Sequence, residues 1–354
     1  MSAEYAELLA RLYRARRFGM RLELDRVAAC LRRLGDPQRS FAVTVQVAGT
    51  NGKGSTAAFV AAVLREAGLK TGLYTSPHLL RLTERVRVGG AEVAPAELLE
   101  ADRAVEAAAA ALGLDLTFFE RLTVTAVSAL AARGVEAAVL EVGLGGRLDA
   151  TTAVGAQVAG VTGVALDHQE HLGGALEAIA REKAGIFRPG QRAVIGASGE
   201  PEAVPVLVAE ARARGVASLT VIDAGAVARV GGPLGLAGAH QVPNAACALA
   251  LVDAAEAVLG RAVDDGARRR GLEACRLPGR LERIAAAPDV VVDGAHNPQA
   301  ARALAAALAE LAPQAERWVI VLGVSRDKDA AGIARPLCAR ASALVVTAAQ
   351  NERS

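Results

Sequence analysis

The sequence predicts an α/β protein in which a large phosphate-binding domain is followed by a smaller Rossmann-like one. Three observations carry that prediction. Val43, Val45 and Val47 form a short β-branched run, which breaks into Gly49-Thr50-Asn51-Gly52-Lys53-Gly54-Ser55 and then into an alanine-rich helical pattern from Thr56 to Ala67. Apolar runs of strand length alternate with helical stretches along most of the chain beyond that point. Leu277-Pro278-Gly279-Arg280 then interrupts the chain, and a fresh strand and helix pattern begins beyond it. The domains are accordingly expected at 1–276 and 277–354.

Strand, glycine-rich loop and helix together make an anion cradle. Glycines let the backbone turn tightly and aim several N–H groups at one point. The start of the helix adds partial positive charge. Lys53 offers a mobile full charge to terminal phosphates, and Ser55 a hydroxyl to Mg²⁺. The common phosphate-loop pattern places Ser or Thr directly after the Lys and a Gly six residues before it. Here Gly54 intervenes and Val47 occupies the earlier position, so a variant loop is expected.

Taken in order, residues 1–40 read as a helical preface. Leu8, Leu9 and Leu12, then Leu22, Leu24, Val27, Leu31 and Leu34, recur at near-helical spacing, and Gly35-Asp36-Pro37 ends the pattern. The basic run from Arg11 to Arg21 reads as a solvated helix face, with contact to a phosphate or anionic substrate as the alternative. A strand from Thr71 to Thr75 leads into Ser76-Pro77-His78-Leu79, polar residues at a strand end where ligands of open α/β sheets lie. Pro95 suits the first turn of a helix reaching Ala111. Phe118-Phe119-Glu120 precedes a helix from Leu122 to Arg133, and the two rings either line a flat pocket or pack in the core.

Ala137 to Val142 reads as a buried strand carrying Glu141. A carboxylate there is costly without a partner, and a metal ion beside a bound nucleotide is a natural one. A strand from Val158 to Thr162 runs into Asp167-His168, where Asp167 either supports a ligand or caps a turn. A helix from about Leu176 ends in Glu182-Lys183-Ala184-Gly185. Then come a strand at Ala193 to Ile195, a helix near 202–214, a strand at Leu219 to Ile222 and a glycine-rich stretch from Gly231 to His240. A helix from Ala245 to Leu259 and a basic helix ending at Arg270 close the first domain. The second has a strand at Val290 to Val292 ending in Asp293-Gly294-Ala295-His296-Asn297-Pro298, a helix over 299–311, and a strand from Trp318 to Leu322. The polar loop Ser325 to Asp329, a helix and a strand from Leu344 to Thr347 complete it. His78, His168, His240 and His296 all follow apolar runs, which places them at the rim of a site.

Composition bounds the function. A 354-residue chain with 52% hydrophobic residues and mean hydropathy of +0.29 buries a large core. A net charge of +2 gives no general attraction to nucleic acid or to a membrane surface, so neither is expected as a partner. Cys30, Cys247, Cys275 and Cys338 are far apart and read as reduced thiols. No apolar core of signal length opens the chain, and no run of about 18 uncharged apolar residues interrupts it. A soluble cytoplasmic protein, working as a monomer, is expected.

The motifs together resemble the folylpolyglutamate synthases and dihydrofolate synthases, within the Mur ligase superfamily of ATP-dependent amide-forming enzymes. The stretches that carry the likeness are AGTNGKGST (48–56), YTSPHL (74–79), LEVGLGGRLDAT (140–151), LDH (166–168), REKAGIF (181–187), HQVPNA (240–245), LPGRLE (277–282), DGAHNP (293–298) and LGVSRDKD (322–329). They run in the family's order along nearly the whole chain. The resemblance implies a Mur-ligase-like fold with a P-loop ATP-binding N-terminal domain. It implies transfer of the ATP γ-phosphate to a carboxylate of dihydropteroate or of a reduced folate, then attack by the amine of L-glutamate.

It also implies roles for particular residues. Gly49, Thr50, Asn51, Gly52, Lys53, Gly54 and Ser55 would hold the phosphates, and Lys53 would stabilise the transferring one. Ser55 and Glu141 would bind a first Mg²⁺; Glu141, His168 and Lys183 a second, with Lys183 carbamylated by CO₂. A monovalent cation such as K⁺ belongs to the same picture. Asn244, Arg280, Asp293 and His296 would reach the nucleotide. Ser76 and His78 lie on the loop associated with the folate substrate, and Thr117, Phe119, Asp149 and Ala150 match positions lining the pterin site of bifunctional members.

Two departures stand out. Thr152 replaces the Asn usual after LDAT, and the second domain is shorter than the family's by a few strands and helices. Part of the glutamate site is expected in what is missing. A Mur-type ligase of cell-wall precursors, or a nucleotide- and folate-binding protein with impaired catalysis, are the competing readings. A plain dehydrogenase is not expected, because the loop carries Lys53 and no GxGxxG.

Overall fold

The computed structural model describes residues 3–15, 23–167, 174–311 and 318–348. Two helices open it, α1 (Ala3–Ala15) and α2 (Asp25–Arg33). A Rossmann-like series comes next: β1 (Val43–Ala48), α3 (Lys53–Glu66), β2 (Thr71–Tyr74), the short antiparallel pair β3 (Val86–Val88) and β4 (Ala91–Glu92), α4 (Pro95–Ala111), α5 (Phe118–Ala132), β5 (Ala137–Glu141) and β6 (Val158–Val161). It continues through α6 (Leu176–Ala184), β7 (Arg192–Ile195), α7 (Val204–Ala213), β8 (Ser218–Val221), α8 (Ala224–Ala228), α9 (Gln241–Leu259) and α10 (Asp265–Ala274).

These strands form one sheet of eight, in the order β4-β3-β2-β5-β1-β6-β7-β8. Strands β2, β5, β1, β6, β7 and β8 are parallel to one another, and β3 and β4 extend the edge antiparallel. Strand β1 is central and buried along its whole length. Helices cover both faces, so Thr44 and Gln46, which alternate with Val43, Val45 and Val47 along the strand, are as buried as the valines. On one face Phe59 and Val63 of α3 pack with Leu251 and Val252 of α9 and Leu272 of α10. On the other, Leu122 and Leu130 of α5 meet Leu8, Leu31 and Leu98 from the first, second and fourth helices. Ile179 and Phe187 close that face over β6 and β7. Helix α9, 19 residues long, is apolar enough, at mean hydropathy 1.5 over an 18-residue window, to pass for a membrane span. Its buried residues from Asn244 to Ala255 make it a core helix instead.

The chain then forms the hairpin β9 (Glu282–Ala286) and β10 (Asp289–Val292), helix α11 (Pro298–Leu311), and β11 (Trp318–Leu322) paired in parallel with β12 (Ala341–Val346) around α12 (Ala330–Cys338). Ala301, Ala305, Ile333 and Leu337 are its core, while Val319, Val321, Val345 and Val346 stay exposed.

Several expected boundaries move. Helix α3 starts at Lys53 rather than Thr56, because Gly52 in the left-handed region (φ 79) already turns the chain into it. Phe118 and Phe119 lie inside α5, not before it. Thr117 caps that helix, and its own N–H donates to the Glu120 carboxylate at 2.7 Å. Helix α9 begins at Gln241, with Pro243 accommodated in its first turn. Strands β3, β4 and β9 were not expected. The segments expected to include Leu22 and His168 lie outside the described residues.

Candidate active site

The C-terminal ends of β1, β5 and β6 meet where the strand order reverses, the crevice in which open α/β sheets bind ligands. The glycine loop leaves β1 there. Gly49 has φ 148, and a Cβ on it would stand 2.0 Å from Thr162 Oγ1, so no side chain fits. Thr50 pins the loop to the strand end beside it: its N–H donates to Gly163 O at 2.9 Å and its hydroxyl to Ala165 O at 3.1 Å. Gly52 would carry a Cβ 2.2 Å from Asn244 Oδ1, so the α9 amide lies directly against the loop. Ser198 donates to that same Oδ1 at 2.7 Å, and Asn244 Nδ2 donates to Gln241 Oε1 at 3.0 Å.

Gly54, the residue that breaks the common pattern, has a local reason. A Cβ there would lie 3.3 and 3.4 Å from the two carboxylate oxygens of Glu141. The first turn of α3 therefore passes close over that carboxylate, and Ser55 is next along it, buried at 2% exposure. Glu141 ends β5, buried, and accepts from Ser76 N–H at 2.9 Å. Burial raises its carboxyl above the usual range; the Lys53 charge, the Ser76 N–H and Arg280 act against that. Burial likewise lowers Lys53, opposed by Glu141 and Asp167. The Lys53 ammonium donates to Thr50 O at 3.0 Å.

Lys183 comes from the last turn of α6 and is 4% exposed. Its Nζ donates to Gly49 O at 3.0 Å. Burial, with the Lys53 charge next in weight, pushes it down to about 7. Two lysines and a glutamate therefore gather at the glycine loop, Glu141 and Lys183 buried and Lys53 half-buried. Among the described residues there is no cluster of three His, Cys, Asp or Glu side chains suited to a metal. Ser55, Glu141 and Lys183 are donors that fit a hard cation only if Lys183 is converted to an anionic ligand. His168, expected as a further ligand, lies outside the described residues.

The second domain closes on this crevice. Asn51 and Asn297 exchange side-chain amide bonds at 2.9 and 3.2 Å, and Asn51 Nδ2 also donates to Gln299 Oε1 at 2.6 Å. Asp167, at the end of the loop after β6, accepts from Asn297 at 3.1 Å and from Lys328 at 2.8 Å, with His296 Nε2 at 3.5 Å. Arg280 sits close enough to act on both Glu141 and Lys53. Asp293 is committed to the turn that precedes α11, accepting from Leu281 N–H at 2.9 Å and Ala295 N–H at 2.8 Å.

A second wall faces the loop after β2. Arg85 Nε donates to His78 Nδ1 at 2.8 Å. A guanidinium can only donate, so Nδ1 accepts and Nε2 carries the proton towards Tyr13 OH, 3.0 Å away. Tyr13 stacks on Phe118 at 6.0 Å, and Arg85 lies 5.3 Å over the same ring. Neither Tyr13 nor Arg85 was singled out by the sequence. Tyr13 sits in a helix whose leucines dominate the pattern, and Arg85 in a short turn between unexpected elements.

The residues matched to a pterin site gather beside that wall. The Phe119 ring fills the space over Gly143, where a Cβ would be 2.5 Å from Cζ, and it lies 6.1 Å from the Tyr74 ring. Thr117 and Asp149 are engaged in the protein itself. Asp149 accepts from the N–H groups of Gly143, Leu144 and Thr151 at 3.0, 3.1 and 3.0 Å and from the Thr151 hydroxyl at 2.6 Å. Ala150 is buried next to it. At the departure from the family pattern, Thr152 accepts from buried Gln46 Nε2 at 2.8 Å and donates to Gly146 O at 2.7 Å.

Residues 47–252 match the Mur ligase middle domain, and residues 279–354 match the Mur ligase glutamate ligase domain. The chain is 41% identical over 325 residues to the dihydrofolate synthase/folylpolyglutamate synthase of Escherichia coli, covering 88% of this chain and 74% of that protein. Among solved structures it is similar to E. coli FolC in complex with DHPP and ADP, with TM-score 0.85 and 37% identity, over 96% of this chain and 82% of that one. A bifunctional folylpolyglutamate synthase/dihydrofolate synthase with Mn, AMPPNP and L-glutamate bound matches with TM-score 0.86 and 35% identity, over 99% and 84%. The chain belongs to the Mur ligase family, in its folylpolyglutamate synthase and dihydrofolate synthase branch.

Proposed function

We propose that this protein joins L-glutamate both to dihydropteroate and to reduced folates, using ATP. The observation that carries the reading is the convergence of Lys53, Glu141 and Lys183 on the glycine loop, under a second domain that reaches it through Asn297. In the reaction a substrate carboxylate oxygen attacks the γ-phosphorus and ADP leaves. The glutamate amine then attacks the acyl phosphate at carbon, and inorganic phosphate leaves as the amide forms. The chain's own contribution is positioning and charge: loop N–H groups and Lys53 face the phosphates, and Arg280 and His296 approach from the other domain. Ser76, His78, Thr117, Phe119, Asp149 and Ala150 form the folate side, with Tyr13, Arg85 and Phe118 as additions. Asn244, held against Gly52, stands on the adenine side.

Relatives solved with ADP, and with Mn and AMPPNP, support ATP and a divalent cation. Ser55 and Glu141 would hold a first Mg²⁺, and Glu141, His168 and a carbamate on Lys183 a second; the cations neutralise phosphate charge, and K⁺ is proposed beside them. An amine that titrates at about 7 supports the carbamate. Its neutral form attacks CO₂ at carbon, loses a proton, and gains an anionic oxygen pair. The unit boundary is placed at 276/277, supported by the Leu277-Pro278-Gly279 turn. Charge balance supports a protein without nucleic-acid or membrane partners and four free cysteines a cytoplasmic one, and a monomer is proposed with them. The folate-branch relatives disfavour a cell-wall substrate.

The test is ADP release from Mg-ATP with L-glutamate and bicarbonate, run with dihydropteroate and separately with tetrahydrofolate. Turnover with both is expected. Turnover with one assigns a single branch. Silence with both, in a folded sample that binds ATP, would replace the ligase reading with a binding protein.

A further inference from the structure

A cavity of about 210 Å³ opens on the flank of α3, away from the glycine loop. Its lining shares no residue with Gly49 to Ser55, Glu141 or Lys183. Alanines of α3 and Ala274 form an apolar floor. Three guanidiniums reach it from three elements: Arg65 near the end of α3, Arg87 in β3 and Arg276 just after α10. Thr71, at the start of β2, adds a hydroxyl.

The charge there is poorly compensated. Glu66 lies 3.4 Å from Arg65 but is shared with Arg270 at 3.5 Å. Glu92 stands opposite Arg87 across β3 and β4, yet its oxygens bond to Arg81 at 2.9 Å and Thr83 at 2.7 Å. Among the described residues, the further bonds of Arg87 and Arg276 go to carbonyls. Arg87 Nε donates to Glu84 O at 3.4 Å, and Arg276 Nη1 donates to Glu273 O at 2.7 Å and Cys275 O at 2.8 Å. A guanidinium has five N–H donors, so most remain available. The buried Cys275 thiol lines the same cavity as the three guanidiniums, and each of their charges acts on it. The glycine at 90 makes room: with φ 90, a Cβ on it would be 2.4 Å from Arg65 Nη1.

Like charges gathered in one small cavity repel unless an anion sits among them. We propose that this cavity is a second binding site, for a small polyanion carrying two or more phosphate or carboxylate charges. Forked guanidinium donors suit both the phosphates of a small polyphosphate and the carboxylates of a glutamyl peptide reaching into the cavity.

The test titrates pyrophosphate and γ-glutamylglutamate, separately, into the parent chain and into R65Q/R87Q/R276Q, followed by calorimetry at low salt. Binding of either probe at the glycine loop contributes equally to both proteins and cancels. The parent should bind at least one probe with a Kd of about 1 mM or tighter, and the triple variant at least about tenfold more weakly. The probe that binds names the source, phosphate or carboxylate. The three single variants run alongside, each expected to lose about threefold, so a triple variant that fails to fold leaves the answer in their hands. Superimposable isotherms for parent and single variants with both probes would overturn the site.

Discussion

The Nζ of Lys183 lies 3.0 Å from the carbonyl oxygen of Gly49, so the last turn of α6 touches the first residue of the phosphate-binding loop. The amine is buried and held down to about 7, in reach of its neutral form at physiological pH. Lys183→Ala is predicted to lower kcat by at least about a hundredfold, a loss on the order of 3 kcal/mol of barrier stabilisation. Acetate or another short carboxylic acid should restore part of it. A carbon-13 carbamate resonance, raised by labelled bicarbonate in the parent and absent in the variant, is the direct check. Full activity of the variant without added acid would reject the carbamate.

Gly54→Ala separates stability from turnover. The new methyl meets the Glu141 oxygens at 3.3 and 3.4 Å, tight but not impossible, and Gly54 has no positive φ to strain. Stability should stay within about 1 kcal/mol of the parent, since Ala suits a helix better than Gly. Turnover should fall by at least about tenfold because Glu141 must give way. Equal losses in urea midpoint and kcat would refute this account.

Asp167 and Lys328 tie the two domains through one buried ion pair at 2.8 Å. Breaking it removes the closest ionic partner of each charge, leaving Lys328 with Asp327 at 3.5 Å or Asp167 with Asn297 and His296 at 3.1 and 3.5 Å, so Asp167→Asn and Lys328→Met should each weaken kcat/KM for ATP by roughly tenfold or more. The double variant should lose little beyond either single one, giving a coupling of about 1–3 kcal/mol. Additive losses in the cycle would mean the pair does not act as a unit.

Alkali should destabilise the fold early. Burial raises the Cys247 thiol from 9.0 to about 12, and the Tyr74 hydroxyl from 10.0 to about 12. Above pH 9 the unfolded chain has released protons that the folded one keeps. Stability therefore falls as pH rises from 9 towards 12, by about 1.4 kcal/mol per pH unit for each proton concerned. Cys247→Ala should start lower, from lost packing, and fall less steeply. Urea titrations at several pH values from 8 to 11 decide it; parallel slopes would exclude Cys247 as a contributor.

The sequence made the central unit legible because three rules agreed there: an apolar strand, a glycine loop and an alanine-rich helix. It was less clear where a local rule was silent. The helix start at Lys53 is hidden because Gly52 and Gly54 both read as loop, and only the φ of Gly52 and the nearby Glu141 distinguish their roles. The β3–β4 hairpin is short and charged, with Arg87 facing Glu92, and its apolar signal is too weak to stand out. Phe118 and Phe119 read as a pair, yet α5 turns them apart. Phe118 goes to Tyr13 and Arg85, and Phe119 to Tyr74 and Gly143. The link from Asp167 to Lys328 spans 161 positions and obeys no periodicity at all.

Gln46 has one further consequence. It is buried in the innermost strand and suspends the 143–152 loop through the hydroxyls of Thr151 and Thr152, at 2.9 and 2.8 Å, while Asp149 ties down the rest. The folate side of the proposed site is therefore a mould cast during folding rather than a glove drawn on by its guest. A guest that is too small would rattle in it, and one that is too large would have to pull on the backbone of the central sheet.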